Sequence, residues 1–351
     1  MRKEYIQNLL KHLNFESIIV KYDYFIEGEL DYVLCDIKQY PGDYHSYNII
    51  PLEDGRIVTN LPDREYIVVW SLKDNQPDVI LRSDKSYTPE FNVLKNTKVF
   101  KCSPLGDIHF WDIKNNKYWI ININDNVKTF SISMDNRIII LLDDNTIKIW
   151  NPETGNMDLT IKDDTETHII VTTKTKIISA TFNQIKIQDI NTGKLEATFD
   201  NDIYIINEIK VISEELIAIL SGNTLLKLWN INTYECEAKL KHNNSSIPCF
   251  LILPDKRIAN AYYDKTVIIW KDYNIQFILQ HDSEITLLNV TIDNKLISAT
   301  KSKNIRIWNL DTGECEVIFP ILHEMIITSI VTTTDGKIIS GARDGKIIVW
   351  K

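Results

Sequence analysis

The residues closest to a catalytic set lie near the C-terminus, where His323, Ser340 and Asp344 supply an imidazole, a hydroxyl and a carboxylate. Such groups in contact can activate a serine for hydrolysis. Partial copies of the set recur upstream at intervals of about 40 residues, and each copy ends on a tryptophan. A repeated set that ends on an indole is typical of a structural network, so we predict that the chain is not an enzyme and has no catalytic residues.

Metal and cofactor motifs are the next chemistry to consider. No pair of histidines has HxH or HExxH spacing among the seven, which are His12, His45, His109, His168, His242, His281 and His323. Neither GxxxxGK[ST] nor GxGxxG occurs, so no phosphate cradle is indicated. The five cysteines are scattered and include no CxxC pair, which favours structural thiols. We therefore expect no metal and no cofactor.

Composition narrows the class of partner. The net charge is -9, with 44% hydrophobic and 25% charged residues, and lysine and arginine form no cluster. This balance argues against binding to nucleic acid phosphates or to an anionic membrane surface. The N-terminus does not resemble a secretory leader, and the longest aliphatic runs, such as residues 138–142, are far too short to span a membrane. We expect an intracellular protein, in the cytoplasm.

Regularly spaced tryptophans indicate the structural elements on which the histidine, serine and aspartate residues lie. Seven of the eight end an apolar, β-like run, and they are Trp70, Trp111, Trp150, Trp229, Trp270, Trp308 and Trp350. Their separations are 38 to 42 residues apart from one doubled gap, which is filled by a similar run that ends at Gln188. Internal periods of this length indicate a repeat architecture, here with eight units.

Each unit contains four short strands and no segment with extended helical periodicity. RIANAYYDKTVIIW and KIISGARDGKIIVW both describe a strand, a tight turn and a second strand. The units resemble WD repeats, although the Trp-Asp pair survives only at Trp111-Asp112. The resemblance implies an all-β fold, a single β-propeller of eight four-stranded blades. A β-sandwich would not explain the tryptophan spacing. The chain is rich in isoleucine, asparagine, lysine and aspartate, as proteins encoded by AT-rich genomes are. In this composition and in the style of its repeats, it also resembles WD-repeat proteins of giant DNA viruses.

The last unit has only three strands before the chain ends. We predict that residues 31–40, DYVLCDIKQY, supply the fourth strand and close the ring. The alternative is a seven-bladed ring closed by residues 79–83, with the preceding residues as an appendage. We favour eight blades, because LEDGRIVTNLPDREYIVVW follows the blade pattern. The predicted domains are an N-terminal extension over 1–30 and a propeller over 31–351. A short amphipathic helix over 3–13 either caps the ring or docks a partner.

The resemblance also implies a structural hydrogen-bond network of histidine, hydroxyl, aspartate and tryptophan in each blade. The last blade matches it in full, and two others match in part, with Asn260 and Ser302 as departures. The matching residues are His242, Asp264, Trp270, His281, Ser298, Trp308, His323, Ser340, Asp344 and Trp350.

In the WD-repeat family, partners often dock on the narrow face, at the turns between second and third strands and the starts of first strands. The positions that correspond here are Asp143, Tyr263, Glu284, Thr286, Lys301, Thr328 and Arg343. We therefore predict a non-catalytic scaffold or adaptor that binds a peptide or protein partner. The alternative is an enzyme or small-ligand-binding propeller with its site at the central channel. The sequence leaves the partner's identity and the oligomeric state open.

Overall fold

The computed structural model of the protein describes residues 30–36, 48–60, 66–73, 76–82, 91–95, 97–103, 106–115, 117–123, 125–162, 165–200, 205–243 and 245–350. These residues contain 32 β-strands in eight four-stranded sheets, and no helix among them could cross a membrane. The predicted N-terminal extension lies outside them apart from Leu30, and so does the predicted helix over 3–13.

Consecutive strands form the first seven sheets, which we number as blades in chain order. Blade 1 comprises β2 (Ile49–Pro51), β3 (Ile57–Asn60), β4 (Tyr66–Ser71) and β5 (Gln76–Arg82). Blade 2 comprises β6 (Phe91–Leu94), β7 (Lys98–Cys102), β8 (Asp107–Asp112) and β9 (Lys117–Asn122). Blade 3 comprises β10 (Val127–Ile132), β11 (Ile138–Leu142), β12 (Thr146–Asn151) and β13 (Asn156–Lys162). Blade 4 comprises β14 (Ile169–Thr172), β15 (Lys176–Ala180), β16 (Gln184–Asp189) and β17 (Leu195–Asp200).

The later blades follow the same order. Blade 5 comprises β18 (Ile206–Val211), β19 (Leu216–Ser221), β20 (Leu225–Asn230) and β21 (Glu235–Leu240). Blade 6 comprises β22 (Phe250–Ile252), β23 (Ile258–Ala261), β24 (Thr266–Lys271) and β25 (Asn274–Gln280). Blade 7 comprises β26 (Ile285–Val290), β27 (Leu296–Thr300), β28 (Ile305–Trp308) and β29 (Cys315–Ile318). Blade 8 comprises β30 (Ile327–Thr332), β31 (Ile338–Ala342), β32 (Lys346–Trp350) and β1 (Leu30–Asp36).

The predicted fold class is confirmed: the fold is an all-β, eight-bladed propeller. The seven-bladed alternative is wrong. It required residues 79–83 to close the last sheet, but β5, which contains most of them, pairs with β4 inside blade 1. All strand pairs in blade 1 are antiparallel, as expected for strands joined by short turns.

The predicted closing strand also forms. Leu30 lies opposite Trp350, and Asp36 lies opposite Lys346, in an antiparallel β1–β32 pair. Residues 31–36 of the predicted strand belong to β1, and Asp36 lies opposite Lys346, the first residue of β32. Residues 37–40 lie outside the described residues. The last strand of the chain therefore has a neighbour that comes from the opposite end of the sequence.

Apolar, β-branched strands build the core. The second strands are buried on both faces, as in β11, whose five residues are all buried, because a blade packs against neighbours on both sides. The chain divides into two compact units. One is formed by residues 1–101, 110–118 and 248–351, and the other by residues 102–109 and 119–247. In the first unit, Ile339 and Val349 pack in one cluster with Ile57 and Val68 of blade 1.

Candidate functional site

The network predicted for the last blade is present as a set of buried contacts. His323 Nε2 lies 2.7 Å from Ser340 Oγ, and its Nδ1 lies 3.1 Å from Asp344 Oδ2. The Trp350 indole donates to the same Ser340 oxygen over 2.8 Å. Ser340 is 0% exposed and His323 is 2% exposed. The hydroxyl is thus engaged by two partners and no substrate can reach it, which is the arrangement of a structural network.

The carboxylate of Asp344 anchors the loop that leads into the blade. It accepts hydrogen bonds from the backbone N–H groups of Lys346 (2.9 Å) and Glu324 (2.7 Å). Burial alone would raise the pKa of Asp344, but His323 and the two backbone donors hold it below its ordinary value. The charged carboxylate is therefore the form that this site stabilises.

Blade 7 carries the same network without the aspartate. His281 Nε2 lies 2.8 Å from Ser298 Oγ, and Trp308 donates to that oxygen over 2.9 Å. Ser302, which replaces the aspartate, contacts Thr300 Oγ1 at 2.9 Å instead. Burial is the largest cause that lowers the pKa of His281, to about 4, so the ring is neutral at pH 7.

The candidates in and before blade 6 have different contacts. The Trp270 indole does not donate to Asn260, whose Nδ2 lies 3.5 Å from the Tyr262 hydroxyl. Asp264 accepts bonds from Thr266, at 3.1 Å from its N–H and 2.6 Å from its hydroxyl, and so fixes the turn between β23 and β24. His242 contacts the neighbouring Asn243 over 3.1 Å.

Two hydroxyl positions were missed by sequence spacing. In blade 1, the indole of Trp70 donates to Thr59 Oγ1 over 2.8 Å. Trp70 pairs with Ile57 on the second strand, and Thr59 lies two residues after Ile57. In blade 4, Gln188 takes the place of the tryptophan and pairs with Ile177, so Ser179 takes the place of the hydroxyl residue. Ser179 Oγ and Gln188 Oε1 have no hydrogen-bond partner. The turn between second and third strands varies in length, so spacing from the tryptophan missed both. Counting from the strand pairing would have found them.

Three predicted partner-binding residues form a connected cluster across blades 6 and 7. Lys301 Nζ lies 2.5 Å from Glu284 Oε2 and 5.9 Å from the centroid of the Tyr263 ring. Tyr263 is 50% exposed, a large fraction for an aromatic side chain. The carboxylate is the largest cause that raises the pKa of Lys301, so the ammonium is held charged over the ring.

The other predicted positions are less prominent. The hydroxyl of Thr286 donates to the carbonyl of Ala299 over 3.2 Å, and that of Thr328 donates to Gly341 over 3.3 Å. Both hydroxyls therefore support pairing within their own blades. Arg343 is half-buried beside the turn, whereas Asp143, in the other compact unit, is exposed.

The structure adds four residues that continue the cluster from blade 7 to blade 8. Lys303 Nζ donates to the carbonyl of Glu324 over 3.4 Å, and Lys346 Nζ lies 2.7 Å from Glu324 Oε1. Met325, next in the chain, is 50% exposed. Sequence reasoning could have found Glu324 and Met325 only as followers of the network histidine. We call the whole surface the blade 6–8 edge: Tyr263, Glu284, Lys301, Lys303, Glu324, Met325, Arg343 and Lys346.

A charged cavity of about 410 Å³ lies at the other end of the blade 6 strands, among Asp255, Arg257, Lys271 and Asp311. Arg257 donates to Asp255 over 2.8 Å and to the carbonyl of Leu310, so this buried guanidinium ties blade 6 to blade 7. Within the described part of the chain, no group of three His, Cys, Asp or Glu side chains could hold a metal ion.

Comparison with known proteins supports the repeat type and the fold. Residues 314–351 match the family model described as WD domain, G-beta repeat. A computationally designed protein, Ika8, known from a crystal structure in P63 packing, is similar with a TM-score of 0.73 at 20% identity. The match covers 88% of this chain and 97% of that chain, and it bears on the fold alone. A search of curated proteins found no match.

Proposed function

We propose that this protein is a non-catalytic interaction scaffold that binds a peptide or protein segment on the blade 6–8 edge. WD-repeat propellers generally bind proteins or peptides, and the last repeat matches that family model. Loops on a rigid scaffold are where binding residues concentrate, because the strands hold them in fixed positions. The resemblance to viral proteins and the intracellular location remain parts of this proposal.

One observation carries the proposal: an exposed tyrosine is held in place by an ion pair from the next blade. Tyr263 is 50% exposed, and the ammonium of Lys301 is fixed above its ring by Glu284. A pre-positioned aromatic ring loses little conformational freedom on binding, so tyrosine is a frequent anchor in interfaces.

The chemistry of the edge fits a partner with both apolar and polar contacts. Tyr263 and Met325 provide apolar surface, at 50% exposure each, and the ion pairs of Lys301 with Glu284 and of Lys346 with Glu324 add charged groups. This mixture of an aromatic anchor with a polar rim is typical of non-obligate protein interfaces.

The enzyme alternative is not favoured by any contact that we find among the described residues. The complete His-Ser-Asp set of blade 8 is buried, and its hydroxyl is bonded to Trp350. A nucleophile needs an approach path and a base that is free to accept its proton. We therefore assign this set to the blade core.

Affinity purification tests the proposal, with two matched variants beside the wild type. Tyr263→Ala removes the anchor, and Tyr273→Ala removes a tyrosine of similar exposure, 46%, from the turn between β24 and β25. We expect partners that bind the wild type and Tyr273→Ala to be lost from Tyr263→Ala, because truncating a central anchor costs about 2 kcal/mol or more. If Tyr263→Ala combined with Arg343→Ala retains every partner, the proposed site is wrong.

A further inference from the structure

Among the residues that the structure describes, the outermost strand of each blade has a neighbouring strand on one side only. Natural proteins usually protect such edges with charged side chains or proline. Seven of the eight outer strands that the structure describes contain at least one charged residue, namely Asp31, Asp78, Lys117, Asp158, Glu196, Glu235 and Glu316. Strand β25 of blade 6, NIQFILQ, contains neither a charge nor a proline. Its edge therefore lacks the usual protection.

Strand β25 is also paired along its length within its own blade, and it offers apolar surface. It pairs with β24 from Asn274 to Gln280, and Leu279 is buried in the core cluster of blades 6 and 7. Ile275 and Ile278 are 44% and 46% exposed. An ordered, uncharged, partly apolar edge strand is a template for strand addition.

We propose that the occupant of this edge is the β25 strand of a second copy of the chain, paired antiparallel across a two-fold axis. In such a contact each strand meets an identical strand, so any charge near the axis would face the same charge. Outer strands such as β21, with Glu235 and Glu237, would suffer this repulsion. Among the eight described outer strands, β25 is the one that avoids it, because all seven of its residues are uncharged.

The contact has a defined extent. Arg306 of blade 7 donates to the carbonyl of Gln280 over 3.3 Å and so occupies the C-terminal end of the strand. Within the described part of the chain, residues 274–278 have no further strand beside them, and this is the segment that would take a second strand. A pairing of this length buries less area than a stable dimer interface, so we expect a dissociation constant in the high micromolar range. Because each copy carries a net charge of -9, added salt should strengthen association.

Sedimentation velocity over micromolar to millimolar protein tests this inference on the full chain. We expect reversible dimers for the wild type. Ile278→Lys and Ile278→Glu should be monomers over most of the range, because the dissociation constant of their dimers should rise at least about tenfold. Adding Asn274→Glu to Ile278→Lys should restore a dimer, because residue 278 of one copy faces residue 274 of the other when residues 274–278 pair about a two-fold axis. Restored association also shows that the Ile278→Lys chain can fold.

The matched control is Ile318→Lys on β29, a strand that already carries Glu316, since Ile318 is 48% exposed. This control should dimerise like the wild type. A wild type that stays monomeric throughout the range overturns the inference. Equal loss of dimer in Ile318→Lys, or no dimer in the Asn274→Glu/Ile278→Lys double variant, overturns it as well. None of these results depends on the blade 6–8 edge.

Discussion

Ser340 on the second strand of blade 8 accepts a hydrogen bond from the indole of Trp350 on the third strand, over 2.8 Å. The same oxygen lies 2.7 Å from His323, which precedes the first strand. One buried hydroxyl thus joins three segments of the blade. Since buried polar groups must find partners, each of the three residues depends on the other two.

Replacing this serine should be strongly destabilising. Ser340→Ala leaves two buried nitrogens without a partner and should lower the free energy of unfolding by about 2 to 4 kcal/mol. The control is Ser179→Ala, because Ser179 is equally buried but its Oγ has no hydrogen-bond partner. We expect that variant to change stability by about 0.5 kcal/mol or less. Urea unfolding of both variants measures the difference, and equal values would contradict the network.

Strand β1 should contribute stability through its pairing with β32. Deleting residues 1–36 removes the strand and exposes the edge that ends at Trp350, whereas deleting residues 1–28 leaves the strand intact. We expect the larger deletion alone to lower the melting temperature and to promote aggregation, because an apolar edge strand is uncovered. Thermal unfolding followed by light scattering compares the two. Identical curves would show that β1 does not close blade 8 in solution.

The neutral His281 predicts a pH dependence with a definite sign. Its pKa is lowered from 6.5 to about 4 in the folded chain, mainly by burial, so the unfolded chain binds more protons between these values. Stability from this site is therefore complete above pH 6.5 and falls as the pH drops toward 4. Between pH 7 and pH 5 the loss should be about 2 kcal/mol. His281→Asn should remove that part of the slope in urea titrations. An unchanged slope would contradict a neutral, buried ring.

Gly313, in the turn between β28 and β29, has no room for a side chain, whereas Gly155 has. A Cβ on Gly313 would lie 2.5 Å from Phe277 Cδ1, while one on Gly155 would meet nothing within 4 Å. Both have positive φ, 76° and 71°. Gly155→Ala should cost about 1 to 2 kcal/mol from the backbone alone, and Gly313→Ala should cost about 1 to 3 kcal/mol more. Equal losses of stability on urea unfolding would show that Phe277 does not pack there.

The fold could be predicted from the sequence because each blade repeats a local pattern that one tryptophan marks. Trp350 and its six counterparts, with Gln188 as the eighth position, are spaced by the length of a blade, and that length changes little. The closing strand could be assigned because blade 8 otherwise has three strands. Its exact start could not, since the pairing extends to Leu30, which lies opposite Trp350 and one residue before the predicted strand.

Contacts between blades were less accessible to sequence reasoning. Tyr263, Glu284 and Lys301 were named separately, by their positions relative to turns, and only the structure shows that they touch. Lys303 and Glu324 were not named, because their contact joins a turn in one blade to the loop that enters the next. Residues 21 positions apart meet there through packing that no local pattern encodes.

The most direct test of the proposed scaffold is hydrogen–deuterium exchange of the full chain, alone and with a partner recovered by affinity purification. We predict that binding slows exchange in the segments around Tyr263, Lys301 and Arg343, because a docked segment shields their amides from water. The turn at Asp272 and Tyr273, at the other end of the blade 6 strands, should exchange at the same rate in both samples. Slower exchange at that turn, with none around Tyr263, Lys301 and Arg343, would contradict the account.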